Sequence, residues 1–95
     1  MDTEKAVITV LIPAYNEGQS IRETVLAVKS CEKVDQMIVI NDCSTDQTSD
    51  LARAAGAEVI DLPRNLGKGG ALNQGLELAK GNIIVPLLVT TLGLF

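Results

Sequence analysis

The chain has no histidine and no tryptophan, and its only aromatic residues are Tyr15 and Phe95. Without histidine, every Ser-His-Asp or Cys-His arrangement is excluded. Cys31 and Cys43 lack a histidine partner to complete a metal set, so they read as reduced thiols. A core with so few rings must be built from Val, Ile, Leu and Ala, which suits a parallel sheet covered on both faces. Cationic charge is also scarce: Lys and Arg number 8 against 12 acids, for a net charge of −4. No basic stripe or aromatic platform exists, which argues against nucleic acid as a partner. The uncharged stretch from Gly81 to Phe95 is shorter than the ~20 residues a membrane helix needs, so no transmembrane segment is expected. It also carries no Asp or Glu. Met1-Asp2-Thr3-Glu4-Lys5 is too acidic for the positive start of a signal peptide, and a cytoplasmic location is the expectation.

At 95 residues, 46% hydrophobic and 21% charged, the sequence is that of one folded domain, residues 1–95. Strand-like and helix-like segments alternate. Val7–Ile12 reads as a strand stopped by Pro13, which cannot donate to a ladder. A helix follows, with capping-box spacing at Ser20 and Glu23 and an apolar face of Ile21, Val25 and Val28. Met37–Ile40 is the second strand, and a helix capped near Asp46 ends at Gly56. Glu58–Leu62 is the third strand. The loop Arg64-Asn65-Leu66-Gly67-Lys68-Gly69-Gly70 leads into a helix expected to turn Leu72, Leu76 and Ala79 inward, with Gly75 allowing close approach to the sheet. Gly81 ends that helix. Ile83–Val89 is the fourth strand, and Pro86 within it argues for an edge position or a bulge. Such alternation predicts an α/β fold with a parallel sheet, right-handed crossovers and helices on both faces.

In an open parallel sheet, ligands bind beyond the carboxyl ends of the strands. The polar tails Tyr15-Asn16-Glu17 and Asn41-Asp42 therefore share one crevice. Asp42 can accept a hydrogen bond from a base N–H or a ribose hydroxyl, or can simply form a turn. Glu17 can touch a ligand or complement a helix dipole. Tyr15 can fill the core, but its place at the crevice is better used to stack on or edge a base. Gly67-Lys68-Gly69-Gly70 at a helix start can cradle phosphate, or can be an ordinary glycine-rich loop; it is not a Walker A sequence.

Four segments, in this order and spacing, carry a resemblance: Pro13-Ala14-Tyr15-Asn16-Glu17, Val39 to Asp46, Arg64 to Gly75, and Ala79 to Val85. Together they resemble the N-terminal, nucleotide-binding half of a family 2 glycosyltransferase of GT-A fold. The resemblance implies a Rossmann-like sheet of about four strands in the order 3-2-1-4, forming a partial domain. It implies inverting sugar transfer from a nucleoside diphosphate-sugar, a UDP-sugar or GDP-sugar, with Mg²⁺ or Mn²⁺. Pro13, Ala14, Tyr15 and Glu17 match the loop that holds base and ribose. Asp42 matches the acid that pairs with the base, and Arg64, Gly67 and Lys68 match the loop near the diphosphate. Where the family continues its fourth strand into Asp-x-Asp, this chain has Leu87-Leu88-Val89-Thr90-Thr91. Neither Leu nor Val binds a hard cation, so no metal ligands are assigned. The resemblance places the catalytic base, an Asp or Glu, and the acceptor site in a second half of the domain, so no catalytic residue is assigned. The expectation is a glycosyltransferase-family protein inactive by itself, with a non-catalytic nucleotide-binding module or a truncated remnant as the alternative. A small Rossmann-like or flavodoxin-like binding domain is a third reading. The apolar fourth strand, with no later chain to cover it, is expected to pair with a second copy as a homodimer.

Overall fold

A computed structural model of the chain describes residues 5–89. The elements run β1 (Ile8–Ala14), α1 (Ile21–Lys29), β2 (Gln36–Asn41), α2 (Thr48–Ala54), β3 (Glu58–Asp61), α3 (Gly67–Leu78) and β4 (Ile83–Pro86). The strands form one four-stranded sheet in the order β3-β2-β1-β4. Each neighbouring pair is parallel. This is the α/β architecture and strand order expected for a partial GT-A domain. Among the described residues, no helix is long and apolar enough to cross a membrane.

Alternation along the two central strands divides the core between the two faces. Val10, Ile12, Ala14 and Val39 pack with Ile21, Val25 and Val28 of α1 and with Ala52 of α2. Leu11, Ile38 and Ile40 face the other way, onto Ala71 of α3. Four isoleucines, Ile12, Ile21, Ile38 and Ile40, are fully buried. Burying such a side chain stabilises by about 1.5–3 kcal/mol.

The two strand prolines show how backbone direction decides what a sheet tolerates. β1 does not stop at Pro13; it pairs with β2 through Pro13↔Ile40 and Ala14↔Asn41. The Leu11 carbonyl accepts from Leu87 N–H on the β4 side, and the Ala14 carbonyl accepts from Asp42 N–H on the β2 side. Pro13 shares Leu11's direction, so its missing donor points toward β4, beyond the last paired residue, Pro86. In β4, Ile83 and Leu87 donate to β1, which turns the nitrogen of Pro86 to the outer edge. The fourth strand is also shorter than expected and ends at Pro86.

Two local expectations fail for identifiable reasons, at the head of α1 and inside α3, while the cap of α2 holds with a start two residues on. Ser20 precedes α1 but is already helical and makes no side-chain cap bond. The Glu17 carbonyl accepts from both Ser20 and Ile21 N–H, so a preceding turn feeds straight into the helix. α2 starts at Thr48, with Asp46 capping from outside by accepting its N–H at 3.0 Å. In α3 the inward residues are Ala71 and Gly75, while Leu76 is 47% exposed and Leu72 and Ala79 are half-buried. A Cβ on Gly75 would lie 2.8 Å from Ile40 Cδ1 and 3.1 Å from Leu11 Cδ2. The helix therefore rides so low on the sheet that only small residues fit beneath it; Leu72, as expected, still packs against this core from the side, while Leu76 is left outside. Gly56, with φ +105°, terminates the α2 region in the left-handed conformation expected of it.

Candidate functional site

The parallel sheet sends the carboxyl ends of β1 and β2 to the same edge. The loops that follow are stitched together by side chains. Asn16 sits at φ +52°, a region asparagine tolerates better than most residues. Its Oδ1 accepts from Thr45 N–H at 2.8 Å and from the Thr45 hydroxyl at 3.2 Å, while its own N–H donates to Ser44 Oγ at 2.9 Å. Glu17 N–H donates to Thr48 Oγ1 at 2.9 Å, and Gly18 N–H to Asp46 Oδ2 at 3.0 Å. The Thr48 hydroxyl donates in turn to Asp46 Oδ1. That bond is the main reason the Asp46 carboxyl lies below its usual range. At the sheet's far edge Asp61 accepts from Asn41 and Arg53, which hold its carboxyl down at about 2.

The third wall is the turn into α3. Asp42, only 4% exposed, extends both carboxylate oxygens to it. Oδ1 accepts from Leu66 N–H at 2.7 Å and Oδ2 from Gly67 N–H at 2.9 Å. The glycine-rich segment is the first turn of α3 itself, since the helix begins at Gly67.

The expected site residues occupy different positions around this crevice. Pro13 and Ala14 are buried within β1. Tyr15 is 48% exposed and offers its ring outward. Glu17 is half-buried, and its Oε1 is shielded from solvent with no hydrogen-bond partner. Burial pushes its carboxyl up; Lys68 works against that rise and Asp46 adds to it. Asp42 and Gly67 touch directly, and Lys68 follows on the same turn. Arg64 is exposed at the turn's beginning. Asn16, Ser44, Thr45, Thr48 and Asn65, which hold the loops together, were not among the expected site residues. The signal available in the sequence was their type: Asn, Ser and Thr, the side chains that bond to nearby backbone. A cavity of about 300 Å³ between Lys5, Ile8, Glu32, Lys33 and Asp35 lies at the amino end of the sheet, away from all of these.

The carboxyl end of β4 differs in character from the other two. Leu87, Leu88 and Val89 follow it, and none carries an oxygen ligand on its side chain. Among the described residues, no group of three or more His, Cys, Asp or Glu is placed to hold a metal ion. This donor set does not fit the Mg²⁺ or Mn²⁺ that the family resemblance implies.

The sheet order and the polar crevice at its carboxyl edge define a Rossmann-like α/β domain of partial GT-A type. The family model for glycosyl transferase family 2 matches residues 9–87, and the chain belongs to that family. It is 38% identical over 87 residues to the poly-beta-1,6-N-acetyl-D-glucosamine synthase of Staphylococcus aureus, covering 84% of this chain and 21% of that protein. It is 37% identical over 78 residues to an uncharacterized protein of Methanocaldococcus jannaschii, covering 82% of this chain and 32% of that one. Among solved structures it is similar to the glucosyl-3-phosphoglycerate synthase of Mycobacterium tuberculosis in complex with Mn²⁺, uridine diphosphate and glucosyl-3-phosphoglycerate. The TM-score is 0.78 at 33% identity, covering 87% of this chain and 33% of that chain. The chain thus spans between a fifth and a third of the length of these relatives.

Proposed function

We propose that the crevice binds the nucleoside diphosphate part of a sugar donor, a UDP-sugar or GDP-sugar, as the donor half of an inverting glycosyltransferase. The observation that carries this reading is the bond between Gly67 and Asp42 at the carboxyl end of β2, with Lys68 next on the same turn and near enough to act on the Glu17 carboxyl. In this reading Pro13, Ala14 and Tyr15 bound the base, and Glu17 and Asp42 accept from base or ribose. Arg64, Lys68 and the backbone at Gly67 face the diphosphate. The uridine diphosphate in the mycobacterial complex supports the choice of ligand. The apolar run Leu87–Val89 favours a second reading, in which this chain binds nucleotide without catalysing transfer.

Calorimetry with UDP and GDP, in Mn²⁺ and in EDTA, tests the proposal. UDP or GDP should bind, with affinities in the two media equal within about twofold, because the cationic side chains and not a carboxylate-held metal meet the diphosphate. No binding of either nucleotide would refute the proposal. A tenfold gain with Mn²⁺, worth about 1.4 kcal/mol, would show that other acids supply a metal site.

We also propose that β4 pairs with a second copy of the chain. Ile83, Val85 and Leu88 are exposed, and among the described residues β4 has β1 on one side only. Pro86 removes one donor from that edge but leaves the apolar side chains uncovered. Light scattering over a concentration series should give a dimer; a monomer throughout would overturn the pairing.

A further inference from the structure

α3 begins with one weak local cap, Asn65 Oδ1, which shares the Gly67 N–H at 3.2 Å. Leu66 stands at its N-cap position and offers no side-chain acceptor, and the first turn has no acid. A helix start leaves several N–H groups unpaired and favours negative charge nearby. Here the missing acceptor comes from a different element, 24 residues away in sequence from Leu66. The two Asp42 oxygens take the Leu66 and Gly67 N–H groups, one each. The Asp42 carbonyl accepts from Asn65 Nδ2 at 3.2 Å, and its N–H donates to the Ala14 carbonyl at 2.9 Å. Asp42 therefore ties the ends of β1 and β2 to the head of α3 through four hydrogen bonds.

The turn is built to accept this tie. Gly67 has φ +79°, a conformation that a side chain would strain. Gly70 leaves room for Leu66, whose Cβ would lie 2.6 Å from an added Cβ. Lys68 comes next after Gly67, so the direction in which it leaves the helix follows from the same turn. With its oxygens already occupied by backbone, Asp42 has less freedom to serve only as a contact for a base.

We infer that Asp42 is a positioning residue: by capping α3 across the crevice, it sets the Arg64–Lys68 turn and thereby aims Lys68 at the bound diphosphate. The ligand half of this statement rests on the nucleotide-binding reading above. The capping half does not.

Two measurements on the full chain separate the halves. The first is amide hydrogen exchange, residue by residue, without ligand. The Leu66 and Gly67 amides should be protected, and Asp42→Ala should speed exchange at Leu66 at least about tenfold, and at Gly67 by less because Asn65 Oδ1 remains as an acceptor, while Ile38–Ile40 stay protected. Asp42→Asn retains one carbonyl acceptor, so it should preserve protection at one of the two amides; it also serves if the alanine variant does not fold. Unchanged exchange at both amides in both variants would overturn the inference. The second is a double-mutant cycle read by UDP affinity. Lys68→Ala should weaken UDP roughly tenfold in the natural chain but less than about twofold in the Asp42→Asn background. Additive losses would mean that Asp42 does not act through Lys68, and would overturn it too. If the natural chain binds GDP and not UDP, the cycle is read with GDP; if it binds neither, the proposed function fails, and the exchange result alone decides the positioning role.

Discussion

Gly81→Ala is expected to destabilise the fold by about 2–3 kcal/mol, an overpacking cost concentrated on backbone. An added Cβ at Gly81 would lie 2.5 Å from the Val7 carbonyl oxygen, 2.7 Å from Thr9 Oγ1 and 2.8 Å from Thr9 N. Two of these are main-chain atoms of the strand and its lead-in, which cannot rotate aside as a flexible side chain would. Relief requires the chain from Lys80 to Asn82 to lift away from β1. That movement stretches the bond from Gly81 N–H to Thr9 Oγ1 (2.9 Å) and the bond from Asn82 N–H to the Val7 carbonyl (2.9 Å). Both lie immediately before the first β1–β4 pair, Ile8↔Ile83, so the register of the edge strand is disturbed at its start. Gly69→Ala is the informative contrast. No atom lies within 4 Å of an added Cβ there. Replacing glycine in a helix with alanine should therefore stabilise, by up to about 1 kcal/mol. Urea denaturation of both variants checks the pair. A Gly81→Ala midpoint equal to that of the natural chain would show that the backbone at Val7 yields more easily than this packing implies.

The contrast between these two glycines marks what could be read from sequence and what could not. Strands made of Val and Ile runs, with Gly and Pro between them, announce a buried parallel sheet, and the four-strand order follows from the family pattern and from right-handed crossovers. The helical faces of α1 were equally legible, because Ile21, Val25 and Val28 repeat with helical spacing and are all buried. α3 was misjudged because the same periodic rule assigns large apolar residues to the inside. Gly75 brings the helix down onto Ile40 and Leu11, and that closeness selects Ala71 and leaves Leu76 outside. Pro13 was misjudged because a missing N–H matters only on the side where a partner waits, and side is a property of the sheet. The crevice was legible as a set of residue types at strand ends. Its wiring was not: the bonds from Asp42 to Leu66, from Asn16 to Thr45 and from Glu17 to Thr48 join residues 24 to 31 positions apart. No local pattern encodes them.

Thr48→Val should cost about 1–3 kcal/mol at neutral pH, the usual penalty for stranding partners of a buried hydrogen-bonding group. Thr48 is fully buried, and valine matches its shape, so packing changes little. The hydroxyl, however, has two partners. It accepts from Glu17 N–H at 2.9 Å and donates to Asp46 Oδ1. Valine leaves the Glu17 N–H without its acceptor in the part-buried turn between β1 and α1. It also removes the bond that does most to hold the Asp46 carboxyl below its ordinary value of 3.8. The sign of the pH dependence follows. A carboxyl whose value is lowered by folding stabilises the fold above the unfolded value, and this contribution is lost as pH falls below it. In the valine variant the Asp46 value moves back up, so that contribution shrinks. The two proteins should therefore differ most at pH 7, and the gap should narrow in acid as pH falls past the ordinary value of 3.8 and on through the lower one of folded Asp46. Thr48→Ser keeps the hydroxyl and should lose mainly the methyl group, near 0.8 kcal/mol by the usual cost of one buried carbon. Denaturation of the three proteins at pH 7 and pH 3 measures all of this. A valine variant as stable as the serine variant at pH 7 would show that the Glu17 turn does not depend on the Thr48 hydroxyl. A gap that widens in acid would mean that Asp46 is not the group Thr48 stabilises.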